Sequence, residues 1–151
     1  MAIVHGHIDD MVAEGIPANK IVVGGFSQGG CMSLVSTLTY PKTYVLCSLW
    51  RLRSALLINL PMVYLQKADL VHEMRSLAGG ICLSGWAAMQ DQYGELIQPA
   101  NKGTPLLWGH GAADPTVVTA CQAAGVKALT DAGLAVQVET YAGLGHGKGH
   151  R

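Results

Sequence analysis

The stretch KIVVGGFSQGG, residues 20–30, constrains this chain more than any other. Lys20 to Gly24 is a short β-branched run bounded by turn residues, and it predicts a buried strand. Gly25-Phe26-Ser27-Gln28-Gly29 follows at once. Residues 28–40 then read as a helix, with Met32, Leu34, Val35 and Leu38 available for packing. Strand, sharp turn and helix in immediate succession force the serine at the turn into a strained conformation with its hydroxyl exposed. The flanking glycines remove side chains that would clash there. The N–H of Gln28 and the helix N-terminus are then placed to stabilise negative charge developing beside Ser27. A Gly-rich turn without chemistry reads the same way, so the serine's partners decide between the two.

A serine nucleophile needs a base and a group that orients the base. Thr104–Trp108 reads as another buried strand and is followed by GHGAADP, with Asp114. Leu134–Tyr141 is a β-rich run followed by GLGHG, with His146. Both loops lie at carboxyl ends of predicted strands, where α/β sheets place their sites. In this pattern His146 takes the proton from Ser27, and Asp114 holds the imidazole tautomer. Asp114 before Pro115 also reads as the N-cap of a helix over 116–132, and the two roles are compatible.

The remaining elements complete the class. Residues 3–14 predict a helix with Ile3, Val4, Ile8, Met11 and Val12 on one stripe and Asp9, Asp10 and Glu14 off it. Gly15-Ile16-Pro17 ends that helix, and Gly79–Ser84 predicts one more strand. Strands alternating with helices predict an α/β fold with a parallel sheet. At 151 residues the chain makes one domain. Residues 44–76 stand apart: they contain no glycine in a chain with 19, and Pro61 interrupts them. They predict a helical excursion outside the strand–helix alternation.

Several functions are argued against. Ten basic residues balance ten acidic ones, so there is no excess charge to meet nucleic acid. Cys31, Cys47, Cys82 and Cys121 form no CxxC pair. His5, His7, His72, His110 and His150 form no metal-ligand motif, so no metal is expected. His110 reads as a loop support at a strand end. Without a nucleotide-binding glycine loop no cofactor is expected, and without an apolar leader the expected setting is cytoplasmic. Trp86 reads either as a packing residue or as one wall of a substrate pocket.

Taken together, GIPANKIVVGGFSQGGCMSL, LSGW, TPLLWGHGAADPTV and VETYAGLGHG closely resemble the acyl-protein thioesterase family, also called phospholipase/carboxylesterase. The resemblance covers residues 1–43 and about 77–147. It implies an α/β-hydrolase fold whose nucleophile, acid and base fall on Ser27, Asp114 and His146, with the elbow oxyanion donor on Gln28. The implied substrates are thioesters or esters of long-chain acyl groups, in S-acylated proteins or lysophospholipids, with transient membrane-surface contact. The family's first strands, and the His-Gly-rich loop that gives its second oxyanion N–H, have no counterpart here. The expectation is therefore a partial α/β-hydrolase fold with N-terminal strands missing and a non-family insertion at about 44–76. The alternative is an impaired fragment or pseudoenzyme that only binds acyl chains or a protein partner.

Overall fold

The computed structural model of the chain describes residues 2–41 and 77–147. In chain order these form α1 (Ala2–Ala13), β1 (Val22–Phe26), α2 (Gln28–Thr39), β2 (Gly79–Leu83), α3 (Tyr93–Leu96), β3 (Leu106–Gly111), α4 (Thr119–Asp131) and β4 (Val136–Tyr141). The strands make one parallel sheet in the order β1-β2-β3-β4. Parallel neighbours need crossovers, and α2 and α4 supply them on either side of the β2–β3 pair. The predicted excursion at 44–76 lies outside the described residues.

The core lies between the sheet and α2 and α4. Cys82, Leu106 and Trp108 from the strands meet Leu34 and Leu38 of α2, Tyr93 and Ile97 around α3, and Leu129 and Leu134 at the end of α4. Trp108 is fully buried because Gly125 of α4 lies on its indole ring, where any Cβ would overlap it. A second cluster joins Ile8 of α1 to Ala18, Ile21, Tyr40 and Leu77. Tyr40 donates a hydrogen bond to Asp9 at 2.8 Å, so one acid read as lying off the stripe helps hold α1 down. Ile3 and Met11 are exposed, which narrows the stripe to Val4, Ile8 and Val12. Asn101 is buried and donates to the carbonyls of Leu38 and Tyr40, satisfying the backbone where α2 ends.

Strand β3 reaches Gly111 rather than stopping at Trp108. Gly109 and Gly111 read as turn residues in sequence, but both remain in register with β4, opposite Glu139 and Tyr141. Their lack of a side chain serves close approach instead: Leu83 and Tyr141 cross over Gly109, and the Leu144 carbonyl presses on Gly111.

Helix α2 approaches the sheet closely at the elbow. A Cβ on Gly25 would collide with the Gly29 backbone, and one on Gly30 would come 3.0 Å from the Cys82 sulfur. A Cβ on Gly29 meets nothing. The two glycines of the motif therefore act differently: Gly25 provides the space, and the Gly29 backbone occupies it. Gly25→Ala is expected to lower stability by at least ~1–3 kcal/mol in thermal or denaturant unfolding. Gly29→Ala leaves the midpoint unchanged or raises it, because alanine is the better helix residue. Equal losses for both variants would refute this account of the crossing.

Candidate active site

Ser27 sits between β1 and α2 with φ 55° and ψ −121°, a conformation L-residues rarely adopt. Such a backbone costs about 1–3 kcal/mol and persists only where its surroundings impose it. Here the Ser27 N–H donates to the Leu83 carbonyl at 2.8 Å, tying the turn to β2. Ser84, at the end of β2, is likewise at positive φ (49°), and its N–H donates to the Gly109 carbonyl. The loops after β3 and β4 are laced together: the N–H of Ala112 donates to Tyr141 and that of Ala113 to Leu144, each at 2.9 Å. Parallel strands thus deliver three loops to one end of the sheet and hold them there.

Three predicted side chains meet at that end. The Ser27 hydroxyl lies 2.9 Å from His146 Nε2, and His146 Nδ1 lies 2.7 Å from Asp114 Oδ2. A carboxylate only accepts, so Nδ1 carries the ring proton and Nε2 faces the serine as an acceptor. Ser27 and His146 are 119 positions apart in the chain, so only the fold brings them together. Phe26 packs on the His146 ring with centroids 4.9 Å apart, a contact no sequence motif announced. Gln28 opens α2, so its N–H is among those with no intrahelical acceptor.

Asp114 is buried. Burial alone would raise its pKa, but the hydrogen bonds from His146 and from the Val117 and Thr116 amides outweigh it. They hold the carboxyl below its ordinary range. Oδ1 accepts the Thr116 and Val117 N–H groups at 2.8 and 2.9 Å, leaving Oδ2 for the imidazole. This corrects the helix-cap reading: α4 begins at Thr119 with Val118 as its N-cap, and Asp114 closes the preceding turn. The thiols behind the elbow are poor competitors for the serine. Burial pushes Cys82 up to about 12 and raises Cys31 as well.

A cavity of about 590 Å³ opens beside these loops, lined by Phe26, Leu83, Ser84, Gly109, His110, Tyr141, Leu144 and Gly147. Trp86 lies half-buried in the turn after β2 and is not among these lining residues. His110 is not in a loop but within β3, fully buried and four residues before Asp114. His5 bonds the Ser36 carbonyl, away from the site. No three potential metal ligands cluster among the described residues. Nor is any described helix long and apolar enough to cross a membrane.

A parallel sheet, a serine on a strand-to-helix elbow, and an acid and a histidine on later loops are the features of an α/β-hydrolase fold. The chain belongs to the phospholipase/carboxylesterase family, whose model matches residues 1–52 and 62–151. The match takes in residues 44–52 and 62–76 of the stretch 44–76 and leaves out only 53–61. A probable carboxylesterase of Oryza sativa subsp. japonica is 36% identical over 95% of this chain and 41% of its own length. Acyl-protein thioesterase 1 of Neurospora crassa is 33% identical over 94% of this chain and 45% of its own. The crystal structure of Arabidopsis thaliana SOBER1 matches with a TM-score of 0.72 at 30% identity, covering 98% of this chain and 55% of that one. The chain thus spans less than half the length of these two curated relatives.

The lowered Asp114 pKa makes a signed prediction. A carboxyl held below its unfolded value, roughly 3.9, contributes stability that is fully present above that value. The contribution is lost as pH falls through the folded pKa. The stability gap between the unsubstituted chain and Asp114→Asn should therefore be widest near neutrality and narrow steadily below about pH 4. Chemical denaturation across that range measures it; a gap independent of pH would contradict the hydrogen-bonding account of Asp114.

Proposed function

We propose that this chain carries the catalytic serine, histidine and aspartate of an ester and thioester hydrolase. The observation that carries the proposal is the unbroken hydrogen-bond chain from Ser27 through His146 to buried Asp114. In this reading His146 Nε2 accepts the hydroxyl proton as Ser27 Oγ attacks the acyl carbonyl. The imidazolium is stabilised by Asp114, and the proton is then given to the departing thiol or alcohol. Water, activated by the same imidazole, releases the acid and restores the serine. The Gln28 N–H would face the oxyanion, supported by the N-terminus of α2.

Acyl-protein thioesterases and carboxylesterases among the relatives support acyl esters and thioesters as the substrate class. S-acylated proteins and lysophospholipids belong to that class, as does brief contact with a membrane surface to reach them. Four cysteines without a paired motif suit a reducing, cytoplasmic setting. Trp86 remains a candidate pocket wall, next to β2.

Hydrolysis of p-nitrophenyl acetate by the purified chain tests the proposal. Turnover above buffer is expected, abolished in Ser27→Ala and reduced by about 10⁴ in Asp114→Asn. Asparagine serves as well as aspartate in a purely structural turn, so near-normal activity in Asp114→Asn would remove that residue from the mechanism. Turnover retained in Ser27→Ala would remove the serine.

A further inference from the structure

His110 is a buried titratable group that the proposed chemistry does not use. Its Nε2 lies 2.7 Å from the Val117 carbonyl. A carbonyl can only accept, so Nε2 carries the proton and the ring donates. The same Nε2 is 3.5 Å from Asp114 Oδ2, with both side chains fully buried. That is too long for a strong hydrogen bond but close enough for the N–H dipole to act on the carboxylate in a site shielded from water. His110 Nδ1 is buried with no hydrogen-bond partner among the described residues. A buried ring that keeps one nitrogen unsatisfied while committing the other to a single carbonyl calls for an explanation.

Val117 supplies it. The residue whose carbonyl accepts from His110 is the residue whose N–H donates to Asp114 Oδ1 at 2.9 Å. Rotation of the 114–117 turn would break both bonds together. Without these anchors the carboxylate would turn away from His146, and Nδ1 would lose the acceptor that keeps the ring proton on it. With Oδ1 filled by the Thr116 and Val117 amides, only Oδ2 is left for His146 Nδ1. Position reinforces this: His110 is paired with Thr140 of β4 and so is anchored in the sheet, whereas Asp114 and Val117 lie in the loop beyond it.

We infer that His110 is a positioning residue that clamps the Asp114–Val117 turn from the sheet and so fixes the His146 tautomer that faces Ser27. The catalytic consequence rests on the serine-hydrolase reading above, while the effect on the tautomer rests on the geometry alone. The imidazole acts as a fixed N–H donor, so a neutral donor of similar reach should replace it. A side chain of similar bulk without a donor should not.

Ring nitrogen NMR of His146 tests this on the intact chain whether or not Ser27 turns over substrate. In the unsubstituted protein and in His110→Gln, the His146 ring should carry its proton on Nδ1. In His110→Leu, which keeps the bulk and removes the donor, the two tautomers should mix. If His110→Leu does not fold, His110→Asn takes its place, since its shorter amide falls short of the Val117 carbonyl. Against p-nitrophenyl acetate the donor-less variant should lose about 10–100-fold in kcat with KM unchanged, and His110→Gln should recover most of it. An unchanged His146 tautomer in the donor-less variant would overturn the inference. So would folded His110→Gln and His110→Leu variants with equal loss. Absence of turnover in the unsubstituted chain would count against the serine-hydrolase reading instead, leaving the nitrogen spectra to decide the role of His110.

Discussion

Helix α2 crosses β1 and β2 at a separation that side chains would forbid, and the site depends on that crossing. Gly25 gives up its Cβ to the Gly29 backbone, Gly30 lies against the Cys82 sulfur, and Gly85 lies 2.9 Å, at its Cβ position, from the Ser27 carbonyl. The approach leaves no room for a gradual turn from strand to helix, so Ser27 takes up the change of direction at positive φ. The strain is local, and what opposes it is distributed: the hydrogen bond to Leu83 and the buried face of α2 from Cys31 to Leu38. Packing at the elbow and exposure of the hydroxyl are therefore two results of one constraint.

The other half of the site is set by hydrogen-bond supply around one buried carboxylate. Asp114 has two oxygens and three strong donors, two from the backbone and one from His146. The backbone donors come from the turn that follows β3 and remain in place whatever the imidazole does. They fix which oxygen the histidine can use, and they offset the penalty of burying the charge. The loop that carries His146 is held by amides of the Asp114 loop, so acid and base share one support. The elbow and this double loop are joined through the sheet, with β2 between them.

Sequence carried much of this because the site uses residues with strong local signatures. The β-branched run ahead of Ser27, the proline after Asp114 and the glycines around His146 each marked a strand end or loop, and the order of the three residues along the chain limited their roles. Boundaries were less legible where glycine served two purposes. Gly109 and Gly111 suggested a turn, yet they keep β3 going because neighbouring side chains and a carbonyl need the space. Pro115 suggested a helix start, yet the chain makes one tight turn first and α4 begins at Thr119. The contacts of Phe26 with His146 and of His110 with Val117 had no signature, because each joins an ordinary strand residue to a loop through the fold. The narrowing of the α1 stripe to Val4, Ile8 and Val12 likewise reflects what the helix packs on rather than its own periodicity.

In the proposed chemistry the fold makes one serine nucleophilic by aiming His146 at it. Reaction of the intact chain with a fluorophosphonate, followed by proteolysis and mass spectrometry, tests this without assuming any natural substrate. A single covalent adduct is expected, mapped to Ser27 and forming far more slowly in His146→Ala. An adduct elsewhere with Ser27 unmodified, or labelling of Ser27 at the same rate without His146, would contradict it.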